Sequence, residues 1–335
     1  MQPAVFNVGS PPRMSPSRIS SPRISVVIPH MNQPQMLARC LASLRAGARQ
    51  PDEIFVVDNG STSNGVACLP TEVCAPYPNL RLLQEPTPGP GPARNLGVAA
   101  ATGDILAFID ADCLADPQWL ACAEAAMADP SAQILGGDVR IAYVDPGRLT
   151  QLEAYESIYA YRMDIYIARD GFTGTGNLVV RRDVMARVGP FAGIGVAEDI
   201  DWGQRATAMG IQIRYVPGMK AYHPARRKSS ELKSKWDRHI AHAFALTRRK
   251  PRALAVWAAK IVAMVLSPLA EIPQIVTSDR VSGLRARALA FVGLTRIRLY
   301  RARMMTWLLL GGDETVLAGR WNRGPTGPQP GKKSA

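Results

Sequence analysis

Apolar and polar residues follow one another along the first part of the chain in a pattern of short strands and amphipathic helices. Runs that are typical of buried strands read ISVVIP, EIFVVD, LRLLQ and DILAFID. Apolar residues at helical spacing lie between them, in a segment that ends at Gly47 and in an Ala-rich segment that ends at Gly103. Strands that alternate with helices predict an α/β fold with a mostly parallel, Rossmann-like central sheet.

The pattern changes after about residue 135 but still contains both kinds of element. It predicts a strand within residues 132–143, a helix over 149–170, a strand and a helix within 171–189, a helix over 197–210 and a closing strand within 212–224. The helix over 149–170 carries four tyrosines, which we interpret as core or interface packing: Tyr155, Tyr159, Tyr161 and Tyr166. The sheet is therefore expected to end near residue 225.

Three of the predicted strands end at residues that could contact a ligand. Pro29, Asp58 and Asp110 each lie at a strand end, and ligands of open parallel sheets bind at that edge. Asp110 and Asp112 are one residue apart, so in an extended chain both carboxylates face the same way. Hard cations such as Mg²⁺ and Mn²⁺ take carboxylate oxygens as ligands. The pair alone is a weak signal, since Asp also begins many turns.

The cysteines and the chain ends bear on the compartment. The chain has 335 residues, and its five cysteines form no Cys-x-x-Cys pair, which indicates a reducing, cytoplasmic compartment without a disulfide framework or zinc site. Residues 1–23 lack the apolar core of a secretory signal. We predict that residues 1–23 and 319–335, both rich in turn-forming residues, are disordered tails.

The net charge of +13 is concentrated in one segment. Residues 1–225 contain 18 Lys/Arg and 21 Asp/Glu, whereas residues 226–303 contain 18 and 4. A block of one sign favours an anionic partner, such as a membrane leaflet or a nucleic acid. A nucleic-acid binder would leave unexplained both the acidic residues at the strand ends and the apolar run between the basic stretches, so we expect no nucleic acid as partner.

The same segment is rich in apolar residues. Residues 253–276 are strongly apolar but contain Lys260 and Glu271, and the following stretch mixes arginines with aromatic residues and leucines. We predict that residues 226–318 form a helical segment that associates with an anionic membrane, peripherally on the inner face of the plasma membrane. A single span at 253–276 is the alternative, because a spanning helix needs about 20 apolar residues.

Six motifs occur in one order along residues 24–225: VVIPHMN, VVDNGST, GPARNLG, AFIDADC, GTGNLVVRR and VAEDIDWGQRA. In this order and spacing they resemble the family 2 glycosyltransferases. The resemblance implies a GT-A domain over residues 24–225 and an inverting enzyme that uses Mn²⁺ or Mg²⁺. The donor is expected to be a nucleoside-diphosphate sugar, with UDP as the carrier, and the acceptor a hydroxyl of a lipid-linked saccharide or surface glycan.

The resemblance also assigns residues to roles. Nucleotide-sugar contacts are expected from Pro29, His30, Asn32, Asp58, Asn59, Arg94, Asp110 and Ala111. Metal contacts are expected from Asp112, His223 and Asp110, and acceptor contacts or support from Gly176, Asn177, Glu198, Asp201 and Trp202. Asp199 matches the general base, which takes the proton of the acceptor hydroxyl as it attacks the sugar. Without the resemblance, the acids at 198–201 read as helix capping and His223 as a surface residue.

Two further features refine the expected activity. The Gln-x-x-Arg-Trp motif of processive members, such as cellulose and chitin synthases, is absent, so the resemblance implies transfer of one sugar per encounter. A sugar nucleotidyltransferase of related fold is the second enzymatic reading. Such enzymes usually carry a Gly-rich loop with Arg after the first strand, and VVIPHMNQPQ has none.

Overall fold

A computed structural model describes residues 21–63, 66–248 and 252–318. Most of the first predicted tail and the whole of the second, at 319–335, lie outside these residues. The strands of the described chain are β1 (Ile24–His30), β2 (Glu53–Asp58), β3 (Thr62–Ser63), β4 (Val66–Ala67), β5 (Leu80–Gln84), β6 (Ile105–Ile109), β7 (Leu114–Ala115), β8 (Ile134–Ala142), β9 (Asn177–Arg181) and β10 (Ile213–Pro224).

The helices are distributed between and after the strands. They are α1 (Pro34–Arg45), α2 (Thr71–Cys74), α3 (Pro90–Ala100), α4 (Trp119–Met127), α5 (Gln151–Tyr159), α6 (Met163–Ile165), α7 (Arg182–Val188), α8 (Glu198–Ala208), α9 (Ser229–Thr247), α10 (Ala253–Ala270), α11 (Ile272–Thr277), α12 (Gly283–Leu309) and α13 (Glu314–Ala318). A short π-helix, Tyr166–Asp170, follows α6. All strands of the described residues thus precede the five consecutive helices α9 to α13.

Eight strands form the central sheet in the order β5-β2-β1-β6-β9-β8-β10-β7. The pairs β5–β2, β2–β1, β1–β6 and β8–β10 are parallel, whereas β9 runs antiparallel to both β6 and β8. The prediction of a mostly parallel α/β sheet is confirmed. Because β9 is reversed, its first residue lies beside the carboxyl end of β6, in the register Ile109↔Asn177.

Apolar residues of the sheet pack into one cluster on each face. The first joins the sheet to α1 and α4, and the second joins it to α3, α7 and α8. Strand β1 contributes to both, since Val26 and Ile28 face one cluster and Val27 faces the other. A strand that is buried on both faces reads as a continuous apolar run, as ISVVI does.

The helix expected over residues 149–170 is interrupted, so that prediction is wrong in its extent. Thr150 and Glu153 form a capping box that begins α5, and the helix ends at Ala160, whose backbone is extended. Tyr161 then takes a left-handed conformation, with φ of 51°. A non-glycine residue in this region is strained and stops a helix, although the apolar pattern continues beyond it.

The C-terminal helices pack against the sheet domain through α5. Ala154, Tyr155 and Ile158 of α5 share a buried cluster with residues of α9, α11 and α12. One helical stretch, Ala253–Thr277, is long and apolar enough to cross a membrane by length and composition, and only 11% of its most apolar part is buried. Its exposed apolar side chains include Leu254, Val262, Leu266, Leu269 and Val276.

Candidate active site

A cavity of about 850 Å³ opens at the edge of the sheet where β6 and β10 end and β9 begins. Asp110 follows β6, Gly176 precedes β9 and His223 belongs to the end of β10. The first turn of α8 adds Glu198 and Asp199. Residues that are separated by more than 100 positions are therefore collected at one sheet edge, which is where ligands of such folds bind.

Arg94 connects two of the predicted site carboxylates. Its Nη2 donates to Asp110 Oδ1 at 2.6 Å, and its Nη1 donates to Glu198 Oε1 at 2.9 Å. The arginine side chain is only 3% exposed, so these charge-assisted bonds lie largely out of water. Helix α3 carries Arg94 close to the sheet, because a Cβ on Gly97 would lie 2.4 Å from Val27 Cγ1. The predicted contact of Arg94 with the nucleotide stays a prediction.

Asp199 lies beside this network, in the first turn of α8. Burial raises the pKa of its carboxyl above the ordinary value, and the negative charge of Glu198 raises it further. Hydrogen bonding to the Ile200 amide and the charge of Arg94 act in the opposite direction but are weaker. A carboxylate with a raised pKa is a better proton acceptor, which is what a general base for a hydroxyl requires.

Asp112 and His223 form the part of the site that suits a cation. His223 Nδ1 donates to the Pro224 carbonyl at 2.7 Å, so in this tautomer Nε2 carries the lone pair, and Nε2 lies 3.6 Å from Asp112 Oδ2. Ligands about 2.1 Å from one ion lie roughly 3 Å apart, so the two atoms can share a divalent cation after a small adjustment. The hydrogen bond to Pro224 fixes the ring orientation.

Two neighbours of this pair contribute less to a cation. Cys113 lies within 4.8 Å of Asp112 and His223, but burial and the charges of Asp110 and Asp112 hold the pKa of its thiol well above the ordinary value. A protonated thiol is a poor ligand. Asp110 Oδ1 is engaged by Arg94, and its Oδ2 faces Gly176, where a Cβ would approach to 2.6 Å. The residue at 176 must therefore be small for Asp110 to keep this position.

Comparison with known proteins identifies the family. The profile of glycosyl transferase family 2 matches residues 25–194. The chain belongs to glycosyl transferase family 2. Glycosyltransferase AglE of Haloferax volcanii is 32% identical over 219 residues, which cover 64% of this chain and 71% of AglE. The pre-mycofactocin glycosyltransferase of Mycobacterium tuberculosis is 28% identical and overlaps 63% of this chain and 44% of its own length.

A solved structure supports the fold. The mannosyltransferase PcManGT of Pyrobaculum calidifontis, solved in complex with GDP-Man and Mn²⁺, has a TM-score of 0.52 at 19% identity and covers 90% of this chain and 91% of its own. The GT-A fold implied by the sequence motifs is thus confirmed. The chain is a sugar-transferring enzyme of α/β architecture, and the individual roles of its site residues remain predictions.

The residues expected at the nucleoside lie outside the cavity, at the adjacent ends of β1 and β2. Asp58 is 2% exposed and accepts hydrogen bonds from His30 and Ser61. Burial raises its pKa, but these hydrogen bonds outweigh the burial and leave the pKa below the ordinary value. Asn32, at φ of 55°, accepts from the Thr62 amide, and Asn59 donates to the backbone of 85–87. These side chains therefore shape the loops that follow β1 and β2, and Pro29 at the end of β1 is half-buried.

Three residues that were predicted to bind or support the acceptor make contacts that stabilise the fold around the cavity. Trp202 is buried and donates to the Gly189 carbonyl, and Asp201 forms an ion pair with Arg205 on the same helix. Asn177 is 0% exposed and donates to the carbonyls of Asp138 and Met219. Ala111 is buried between the two aspartates of the Asp-x-Asp pair. These contacts favour support over acceptor binding.

Several residues that line the cavity were not anticipated from the sequence. The Tyr161 ring packs against the His223 ring at an angle of 34° with centroids 4.6 Å apart, and its hydroxyl lies 3.2 Å from His223 Nε2. Tyr166 and Phe172 stack on each other at 5.4 Å and also line the cavity. The tyrosines were expected to be packing residues. The sequence feature that lies next to these aromatic residues is the glycine-rich loop at 171–176.

Asn177→Ala should lower the free energy of unfolding by about 3 kcal/mol or more. The change leaves the carbonyls of Asp138 and Met219 and the indole NH of Trp119 unpaired in the interior, and each unpaired buried group costs about 1–3 kcal/mol. Urea unfolding measures the effect. Asn79→Ala, which removes one partly buried hydrogen bond of an exposed residue, is the control and should cost no more than about 1.5 kcal/mol. Unchanged stability with impaired acceptor use would point to the acceptor role.

Proposed function

We propose that the protein is an inverting glycosyltransferase that moves one sugar from a nucleoside-diphosphate sugar to a hydroxyl acceptor. One observation carries this proposal: Asp199, His223 and the Arg94 network line a single cavity, and Asp112 Oδ2 lies 3.6 Å from His223 Nε2. A base and a site for the leaving diphosphate are the two requirements of a single displacement at the anomeric carbon.

Asp199 supplies the base in this proposal. The acceptor hydroxyl donates a hydrogen bond to its carboxylate, and the proton passes to that carboxylate as the oxygen bonds to the anomeric carbon. Glu198 already accepts a hydrogen bond from Arg94, so its carboxylate is less available to an acceptor hydroxyl and it is the weaker candidate. Attack from the face opposite to the leaving group inverts the anomeric centre in one step, without a covalent intermediate.

Asp112 and His223 are the residues that would hold the divalent cation. Their donor atoms fit such an ion, and PcManGT was solved with Mn²⁺ and GDP-Man. When bound, the cation offsets negative charge on the leaving diphosphate. Arg94 keeps Asp110 and Glu198 in place beside it.

A donor-hydrolysis screen tests the proposal directly. The full chain is incubated with UDP, GDP and dTDP sugars, with Mn²⁺ or Mg²⁺ or with chelator, and nucleotide release is measured. We expect the protein to release nucleotide from the sugars of one nucleoside diphosphate, and only when the cation is present. UDP sugars and GDP sugars are the first to examine. The anomeric configuration of the transferred product, read by NMR, distinguishes inversion from retention. Release of nucleoside monophosphate instead of diphosphate would contradict glycosyl transfer.

We also propose that the C-terminal helices attach the enzyme to an anionic membrane. Helix α10 exposes Val262, Leu266 and Leu269, and a water-exposed apolar face of this size is unusual in a soluble protein. Exposed Arg252 and Lys260 lie on or beside the same helix. An apolar face bordered by cations is typical of helices that lie in the membrane interface.

Vesicles that contain anionic lipid should retain the protein better than neutral vesicles, and high salt should weaken retention without abolishing it. Salt screens exposed charges over about 8 Å at physiological ionic strength, whereas apolar insertion is insensitive to it. Leu266→Asp should lower the salt-resistant part by about tenfold, since a buried leucine contributes about 1.5–3 kcal/mol. Met209→Asp, an exposed apolar position after α8, is the control. Resistance to both salt and carbonate would indicate a span instead.

A further inference from the structure

Helix α9 contributes to the lining of the cavity that contains Asp199. Lys235 and His239 of this helix line the cavity, and His239 also lines a second cavity of about 320 Å³ between α9, α10 and α12. The two cavities are therefore neighbours that share one residue. None of the sequence motifs extends to this region, and its residues have no role in the donor chemistry described above.

Positive charge is in excess where the two cavities meet. Arg226 and Arg298 are paired with Glu156 and Glu271. Lys235 of α9 and Arg301 of α12, in contrast, have no carboxylate within 4 Å among the residues that the structure describes. Two strong cations beside one cavity system thus remain available to an anion.

Arg301 is placed for ligand binding. Its guanidinium stacks on the Trp236 ring at 3.8 Å, which fixes the side chain, and its buried Nε has no hydrogen-bond partner in the described chain. Burial and the charge of Arg298 lower the pKa of Arg301 to about 10. Burial and the charges of Arg226 and Arg238 likewise lower the pKa of Lys235. A bound anion would relieve both the desolvation of these two groups and their repulsion by the neighbouring arginines.

The second cavity combines apolar walls with the cations Lys260, Arg298 and Arg301. Trp257, Met264 and Met305 form its walls, and α10, which closes one side, carries the exposed apolar face. A ligand that fills both regions needs an anionic group at Lys235 and Arg301 and an apolar chain along α10. Its remaining part reaches into the cavity that Asp199 lines.

We propose that the acceptor is a phosphate-bearing lipid, with its phosphate held by Lys235 and Arg301 and its apolar chain in the cavity between α9, α10 and α12. The assignment of this ligand as acceptor rests on the proposed glycosyl transfer. The cations belong to α9 and α12, whereas the predicted donor residues lie at the sheet edge, so donor and acceptor phosphates have separate sites.

Calorimetric titration of the full chain with decyl phosphate, decanol and inorganic phosphate, all below the micelle concentration, tests the site. Decyl phosphate should bind at least about tenfold more tightly than either fragment, because both the anion and the chain contribute. Arg301→Gln and Lys235→Gln should each weaken it by about tenfold or more, and Arg301→Lys by less. Arg303→Gln, an exposed arginine on the same helix, is the control and should have no effect. Equal affinity for decyl phosphate and decanol would overturn the proposal.

Two further measurements identify the source of the phosphate. The same variants are titrated with UDP and GDP in the presence of Mn²⁺, and these affinities should not change. A loss of nucleotide affinity in Arg301→Gln equal to its loss for decyl phosphate would assign the cations to the donor and overturn the proposal. Competition of decyl phosphate by phosphatidylglycerol vesicles, but not by phosphatidylcholine vesicles, would assign the site to bulk headgroups and also overturn it. A protein that binds decyl phosphate but hydrolyses none of the donors would refute the proposed glycosyl transfer and leave the lipid-phosphate site in place.

Discussion

Asp199→Asn should lower the rate of sugar transfer by about 10²–10⁴-fold while donor binding is retained. A neutral amide cannot take the proton of the attacking hydroxyl, and removal of a general base has effects of this size. The donor is expected to bind through other residues, so its affinity should remain within about twofold of wild type. Transfer is measured with saturating donor and a hydroxyl acceptor, and donor affinity by calorimetry with Mn²⁺ present.

Asp201→Asn is the matched control for this variant. Asp201 has the same chemistry two residues further along α8, but it pairs with Arg205 and does not line the cavity. Its loss should change the transfer rate by only a few fold. Transfer at nearly the wild-type rate by Asp199→Asn would contradict the assignment and direct attention to Glu198, the neighbouring acid in the first turn of α8 that also lines the cavity.

The pH profile gives a second readout of the same residue. The base acts in its ionised form, so the rate falls as pH is lowered through the pKa of Asp199, which lies above the ordinary value of 3.8. Glu198→Gln removes the negative charge that raises this pKa, and the acid limb should therefore move to lower pH. Arg94 opposes the shift and is unchanged in this variant. An acid limb that does not move with Glu198 would belong to another group.

The strands were predictable because their signal is local. Apolar runs such as ISVVI and ILAFI are buried on both faces of the sheet, and their ends are marked by Pro29 and Asp110. The break after α5 was not predictable in the same way. Apolar residues continue at helical spacing through Tyr161, and only its left-handed backbone separates α5 from the turns that follow.

The residues of the site also differ in how far the sequence predicts their positions. Residues at strand ends could be brought together from topology alone, since parallel strands share one edge. The wall formed by α9 could not, because Lys235 and His239 reach the cavity through packing between helices that have no motif. The number of basic residues in the C-terminal segment also overstates the charge available to a membrane. Arg280 belongs to this segment but forms a buried ion pair with Asp138 of the sheet.

Asp112→Asn should abolish the part of nucleotide binding that depends on the cation, with a loss of about 100-fold or more in affinity for UDP or GDP in Mn²⁺. The carboxylate is the charged ligand of the proposed pair with His223, and an amide neither carries the charge nor binds a hard cation comparably. Affinity without Mn²⁺ should be unaffected. Asp116→Asn is the control, because Asp116 lies nearby but contacts Tyr222 instead of the cavity.

His223 allows a sharper test of the same site. If Asp112 and His223 hold one cation, either substitution removes it, so the double variant Asp112→Asn with His223→Gln should bind nucleotide no more weakly than Asp112→Asn alone. Residues that act independently would instead give losses that add as free energies. Additive losses, or a Mn²⁺ effect that survives in Asp112→Asn, would place the cation on other residues, and Asp110 would be the next to substitute because it lies beside the same cavity.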